Sequence, residues 1–196
     1  FTLMTFLTSI LLGLSMGSGT VFSIRFGQKD IQGLKEGILA SFFLLSVVTV
    51  VLNVFIFVGI DWIIWFLRTP MQLVGLMKEY LIIIFSGLVG IFLYNYFASL
   101  LRSLGNSVTP LIFLAISAIL NIVLDIYFVT NLNRGVAGAA EATVISQYVS
   151  GIGIAIYTKI KYSNLLKRDR NIHLRLSRIK EITSFSTLTC LQQSIM

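Results

Sequence analysis

The sequence predicts an all-α membrane protein, a polytopic bundle of transmembrane helices, and three observations carry that reading. Hydrophobic residues fill 56% of the 196 positions and charged residues only 12%, about half the charged share of a soluble domain. Mean hydropathy is +0.90. The charges also segregate: they collect in short turns and one long basic stretch, leaving five apolar runs long enough to cross a bilayer core of ~30 Å.

Residues 1–24 make the first run. Its Gly13-x-x-x-Gly17 pattern, with Ser15, Ser18 and Gly19, offers a smooth face for close helix contact. Residues 25–36, RFGQKDIQGLKE, read as a short polar turn. The second run, 37–60, contains one amide, Asn53. Residues 61–79, DWIIWFLRTPMQLVGLMKE, are amphipathic. Trp62 and Trp65 suit the headgroup layer and Pro70 breaks any helix, so this link is predicted to lie along the membrane surface. The third run, 80–101, opens with Tyr80 and holds Gly87, Gly90, Tyr94 and Asn95. A turn over 102–107 bends at Gly105-Asn106. The fourth run, 108–130, has Pro110 in its first turn, where a missing N–H is harmless. The fifth, 135–158, is packed with Gly and Ala.

Residues 159–180 form the one long hydrophilic stretch, with eight Lys/Arg against a single acid, Asp169. The net charge of +7 therefore belongs to a loop beside a membrane, not to a nucleic-acid-binding surface. His173 is read as a solvated residue of that loop, since a lone His has no spacing partner for a metal site. Cys190, the single cysteine, excludes an internal disulfide and is read as a small residue packed between helices. Residues 181–196 turn apolar and are read as the truncated start of another transmembrane helix. Together with an opening Phe1, they lead us to expect a piece of a longer polytopic protein. If the basic loop is cytoplasmic, alternation places twelve Lys/Arg on the cytoplasmic side and three outside. The expected location is integral to the plasma (inner) membrane.

The fourth run carries the chemistry. Asn121 and Asp125 stand i and i+4, so both project from one helical face. A carboxylate inside a bilayer costs roughly 2.5–3.5 kcal/mol on insertion scales, which makes an intramembrane acid a functional site by default. The bland reading is an acid satisfied by a neighbouring helix for packing alone. Depth tests the functional one. At ~1.5 Å per residue, Asp125 lies ~8 Å below Thr130 and Thr143 ~12 Å below Gly135, while Tyr80 opens its run on the same side. A carboxylate, an amide, a hydroxyl and a phenol at one level suit a proton or a hard cation such as Na⁺. They suit a transition metal poorly, with no His or Cys among them. Glu141 is the other acid within a run. It is two residues from Thr143 and so points to roughly the opposite side of its helix. It is a second candidate titrating group or a residue reaching interfacial water.

The segment YNYFASLLRSLGNSVTPLIFLAISAILNIVLDIYF, followed by GVAGAAEATVISQ, resembles the multidrug and toxic compound extrusion (MATE) transporters, and RFGQKDIQGLKEG is similar to that family's first cytoplasmic loop. The resemblance runs from the family's second helix into its seventh. It implies most of one six-helix lobe of a two-lobe alternating-access transporter, with the first helix and the carboxy-terminal lobe lying elsewhere in the same chain. It also implies an antiporter coupled to H⁺ or Na⁺, with no other cofactor, exporting small organic compounds. Asp125, Asn121 and Thr143 match the family's cation positions, and Tyr80 a nearby aromatic one. Glu141 departs from the small or aliphatic residue usual at its place. The absence of Lys and Arg from the predicted runs favours cationic or neutral substrates. The nearest rival is a lipid-linked saccharide flippase of the same superfamily, which needs a strongly cationic cavity. An intramembrane enzyme would need paired catalytic groups, and Asp125 with Glu141 is the only acid pair. A scaffold would leave Asn121 and Asp125 without a reason.

Overall fold

The computed structural model describes residues 2–66, 68, 70–166, 182–187 and 189. Most of the basic loop, including His173, and Cys190 lie outside the described residues. Six long helices make up the bundle: α1 (Thr2–Gly27), α2 (Ile31–Phe66), α3 (Val74–Ser86), α4 (Leu88–Ser103), α5 (Val108–Ile126) and α6 (Gly135–Lys161). They give five candidate membrane spans, because α3 and α4 run on as one, Met71–Ser103.

Several helices outrun the apolar stretches that predict them. α2 begins at Ile31 rather than residue 37 because Asp30 caps it, its Oδ1 accepting the Gly33 N–H at 2.9 Å. Arg25 holds the same carboxylate at 3.3 Å. Residues 31–36, with Gln32, Lys35 and Glu36 as their polar members, then extend the helix below the apolar run, and Glu36 is buried. At its other end α2 continues through Asp61 to Phe66, so the expected surface link shrinks to the residues around Pro70. Asp61 ends up ion-paired with Lys78 on α3, and Met71–Leu73 form one 3-10 turn that leads into α3.

Gly87 separates α3 from α4. The break frees the Ser86 carbonyl, which accepts the Tyr148 hydroxyl from α6 at 2.9 Å. A Cβ at Gly90 would meet the backbone of Gln147 and Tyr148, and one at Gly151 would meet the Gly90 carbonyl. Small residues therefore set how closely α4 and α6 approach.

The core lies where α1, α2 and α4 meet. Tyr96 is its centre: fully buried, its ring edge-on to Phe22, Phe42 and Phe97. Its hydroxyl donates to the Ile38 carbonyl at 2.6 Å, with Ser41 Oγ 3.3 Å away. Between α1 and α4, Ser99 Oγ donates to the Ser15 carbonyl at 2.7 Å. The glycine face of α1 receives residues 182–187 and Thr189. Thr189 Oγ1 donates to the Gly13 carbonyl at 2.9 Å, and a Cβ at Gly17 would collide with the Ser186 backbone. The close contact expected from Gly13-x-x-x-Gly17 is thus made by a segment 170 residues downstream, with Ile182 packed on Val21 and Ala40.

α5 stands apart. It packs mainly along α6, and Pro110 is its one buried residue. Its outer face, including Leu111, Ile119, Ile122 and Ile126, is exposed. An apolar helix this open is unstable in water and suited to lipid or to further protein.

Candidate cation site

The site is built on the α5–α6 pair. Three cross-helix hydrogen bonds fix the antiparallel register, one of them Thr109 Oγ1 to the Tyr157 hydroxyl at 3.3 Å. Asn121 Nδ2 donates to Thr143 Oγ1 at 3.4 Å, and Ser117 Oγ donates to the Ser146 carbonyl at 2.9 Å. Thr143 spends its own proton on the Ala139 carbonyl at 3.0 Å, so its oxygen faces Asn121 as an acceptor. The same register sets Asp125, one turn beyond Asn121, against the Gly138–Ala140 stretch of α6.

Asp125 is the unsatisfied member. Its Oδ1 is shielded from solvent and accepts no hydrogen bond. Buried polar atoms are nearly always paired, and each exception calls for a reason. Just past it the helix widens into a π turn, Tyr127–Asn131, closed by Leu132 N–H to the Tyr127 carbonyl. Such turns recur at functional sites, and no residue type in YFVTN announces this one.

Of the sequence-predicted residues, the structure hydrogen-bonds Asn121 to Thr143 and places Asp125 on their shared face. Tyr80 sits elsewhere, on α3, half-buried against the apolar core. α3 packs on α6 and α2. Glu141 turns away from Thr143, as their spacing requires. It lines a small apolar cavity with Phe57, Ile82 and Val144, and Arg134 holds it in a two-oxygen ion pair at 2.9 and 3.0 Å. Arg134 lies two turns away, too far along the sequence for a standard helix-pair pattern to find it.

One polar group escapes sequence reading. Gln147, one turn from Thr143, has a buried Oε1 with no partner, lying against Gly87 at the α3–α4 break. An amide in a Gly/Ala-rich helix gives no signal by itself. Asp125, Asn121 and Thr143 put a carboxylate, an amide and a hydroxyl on the face that α5 and α6 share, groups whose oxygens are hard donors. No cluster of three His, Cys, Asp or Glu occurs among the described residues.

An all-helical bundle with five membrane-length spans among the described residues defines an integral membrane protein. The MatE family model matches residues 1–127, and the chain belongs to the MATE family. It is 34% identical over 149 residues to "Probable multidrug resistance protein YpnP" of Bacillus subtilis, covering 76% of this chain and 34% of that protein. To "Probable multidrug resistance protein NorM" of Thermotoga maritima it is 33% identical over 122 residues, 60% of this chain and 26% of that one. An inward-facing MATE transporter structure superposes at a TM-score of 0.88 and 25% identity, covering all of this chain and 45% of the other. A MATE structure in a bent conformation gives 0.91 and 25% identity over 98% of this chain. The chain thus spans less than half the length of the relatives it matches. None of these matches favours a flippase.

Proposed function

We propose that this chain supplies the coupling half of an antiporter that exports small organic compounds, cationic ones among them, in exchange for H⁺ or Na⁺. The buried, partnerless Oδ1 of Asp125 carries the reading. A lone acceptor in an apolar setting is costly unless something binds it, and a proton or a sodium ion does so. Asn121 and Thr143 hold the geometry around it, their oxygens completing a ligand set for Na⁺ or a relay for H⁺. Tyr80 is the fourth residue assigned to coupling, from α3, the helix that packs on α6.

The cation binds Asp125 from the end of the bundle opposite Arg25 and Arg102. Neutralising the carboxylate removes its need for polar surroundings, so α5 and α6 settle into a different packing. That packing favours the conformation that has released substrate. Cation release on the other side, the cytoplasmic one, returns the lobe. Coupling of this kind requires the two ligands to favour different conformations, and α5, with almost nothing buried, is free to shift. Glu141 is assigned a structural role, since Arg134 already neutralises it.

The test uses vesicles holding the full-length protein that carries this segment, loaded with a cationic dye and driven in turn by proton and sodium gradients. One gradient drives export by the parent, and Asp125→Asn loses that export while still inserting. Undiminished export by the variant would sink the proposal.

A further inference from the structure

A groove of about 360 Å³ runs between α2, α3 and α6. Phe57, Ile82, Ile83, Val144 and Ile145 form its walls, and Glu141 is its one charged member. The Ser86 hydroxyl, also in the lining, is spent on the Ile83 carbonyl at 2.6 Å. Phe57, Ile82 and Ile145 are exposed. In a membrane span, walls of that kind face acyl chains or further protein.

Depth and charge choose between those occupants. α6 is 27 residues long, ~40 Å, which matches a bilayer with its headgroups rather than its ~30 Å hydrocarbon core. Glu141 stands six residues in from Gly135, ~9 Å, so its Cα falls close to the border between core and headgroups. Helical side chains lean toward the N-terminus, here toward the headgroups. Trp62 and Trp65 are exposed at the neighbouring end of α2, as indoles in a headgroup layer are.

The ion pair at the mouth of the groove leaves hydrogen-bonding capacity on both partners. One nitrogen of Arg134, Nη1, contacts both Glu141 oxygens. Among the described residues, the parallel donors on the side edge of this guanidinium, Nε and Nη2, reach no acceptor. A side edge of that kind takes a phosphate in two hydrogen bonds. The Glu141 carboxylate, partly exposed, keeps lone pairs for a second donor.

We propose that this groove binds a zwitterionic phospholipid with a primary amine, of the phosphatidylethanolamine class. The phosphate lies on the Nε–Nη2 edge of Arg134, and the ammonium, a short ethylene linker away, on the Glu141 carboxylate. One acyl chain runs along Phe57, Ile82 and Ile145 toward the middle of the bilayer. The charges balance, since a neutral ion pair meets a neutral headgroup with opposite signs apposed. A trimethylated amine has no N–H to donate to Glu141, and an anionic headgroup puts nothing positive there. The lipid is a resident ligand rather than cargo, and the site stands whether or not Asp125 couples transport.

A headgroup series tests this. The full-length protein in detergent is titrated with three phospholipids of identical acyl chains, bearing ethanolamine, choline or glycerol headgroups. Its melting temperature is followed, because a ligand of the folded state raises it. Phosphatidylethanolamine reaches half its effect at a concentration about tenfold below the other two, the factor expected for a charge-assisted hydrogen bond. Glu141→Gln loses that preference. Arg134→Gln weakens all three lipids, because each carries the phosphate. Equal responses to the three lipids in the wild type, no response to any, or undiminished binding in Arg134→Gln each overturn the proposal. So does a preference intact in Glu141→Gln, which would mean that the amine acts through the bulk micelle.

Discussion

Tyr96 and Asp125 are both polar groups set in apolar helices, and they are treated in opposite ways. The Tyr96 hydroxyl is buried at the centre of α1, α2 and α4, hydrogen-bonded to the Ile38 carbonyl and ringed by aromatics. Asp125 sits on the least buried helix, and one of its oxygens is sealed from solvent without a partner. The first arrangement maximises stability and leaves nothing free to bind. The second gives up stability and keeps a ligand position open. Packing is thus dense around α1, α2 and α4 and open along α5, with α6 and the Gly87 break between the two groups.

The sharpest way to break that comparison is to remove the Tyr96 ring. Tyr96→Ala empties a fully buried aromatic site and should cost about 3–5 kcal/mol, read as a lower unfolding midpoint of the full-length protein in detergent. Tyr96→Phe keeps the ring but removes one donor to the Ile38 carbonyl, which Ser41 still reaches at 3.1 Å, for about 0.5–1.5 kcal/mol by the same measurement. A Tyr96→Phe protein that melts like the wild type would show that this hydroxyl is not structural.

On the other side of the comparison, Thr143→Val removes the acceptor of Asn121 Nδ2. The bond is long, at 3.4 Å, so stability falls by less than about 1 kcal/mol. Coupled export falls several-fold, measured as gradient-driven dye flux in vesicles. The smallest effect belongs to Glu141→Gln. The Arg134 pair is partly exposed, at 48% and 24% for its two side chains, and pairs of that kind contribute about 0–1 kcal/mol. Melting and dye flux should both stay near wild type. A large loss of flux in Glu141→Gln would return Glu141 to the coupling machinery.

The fold was legible because hydropathy and charge segregation write span number directly into the residues. Span ends were less so. Asp30 and the Asp61–Lys78 pair extend α2 past its apolar run through a cap and a tertiary ion pair, neither of which a local pattern reveals. Asn121 and Asp125 could be read because any polar group in a bilayer is conspicuous, and one turn of spacing puts them on a shared face. Thr143 followed from depth alone. The ion-pair partner of Glu141 and the surroundings of Gln147 stayed hidden, since an i+7 contact and an approach to a glycine depend on tertiary packing.

The central claim is that the open oxygen of Asp125 is where the coupling ion binds, and a ligand that binds only the folded state raises its melting temperature. The most direct measurement is therefore the melting temperature of the full-length protein and of Asp125→Asn, across a series of sodium concentrations and a series of pH values. The account predicts that one of the two ions raises the wild-type melting temperature and leaves Asp125→Asn flat. A variant that responds as the wild type does would place the ion elsewhere and contradict the account.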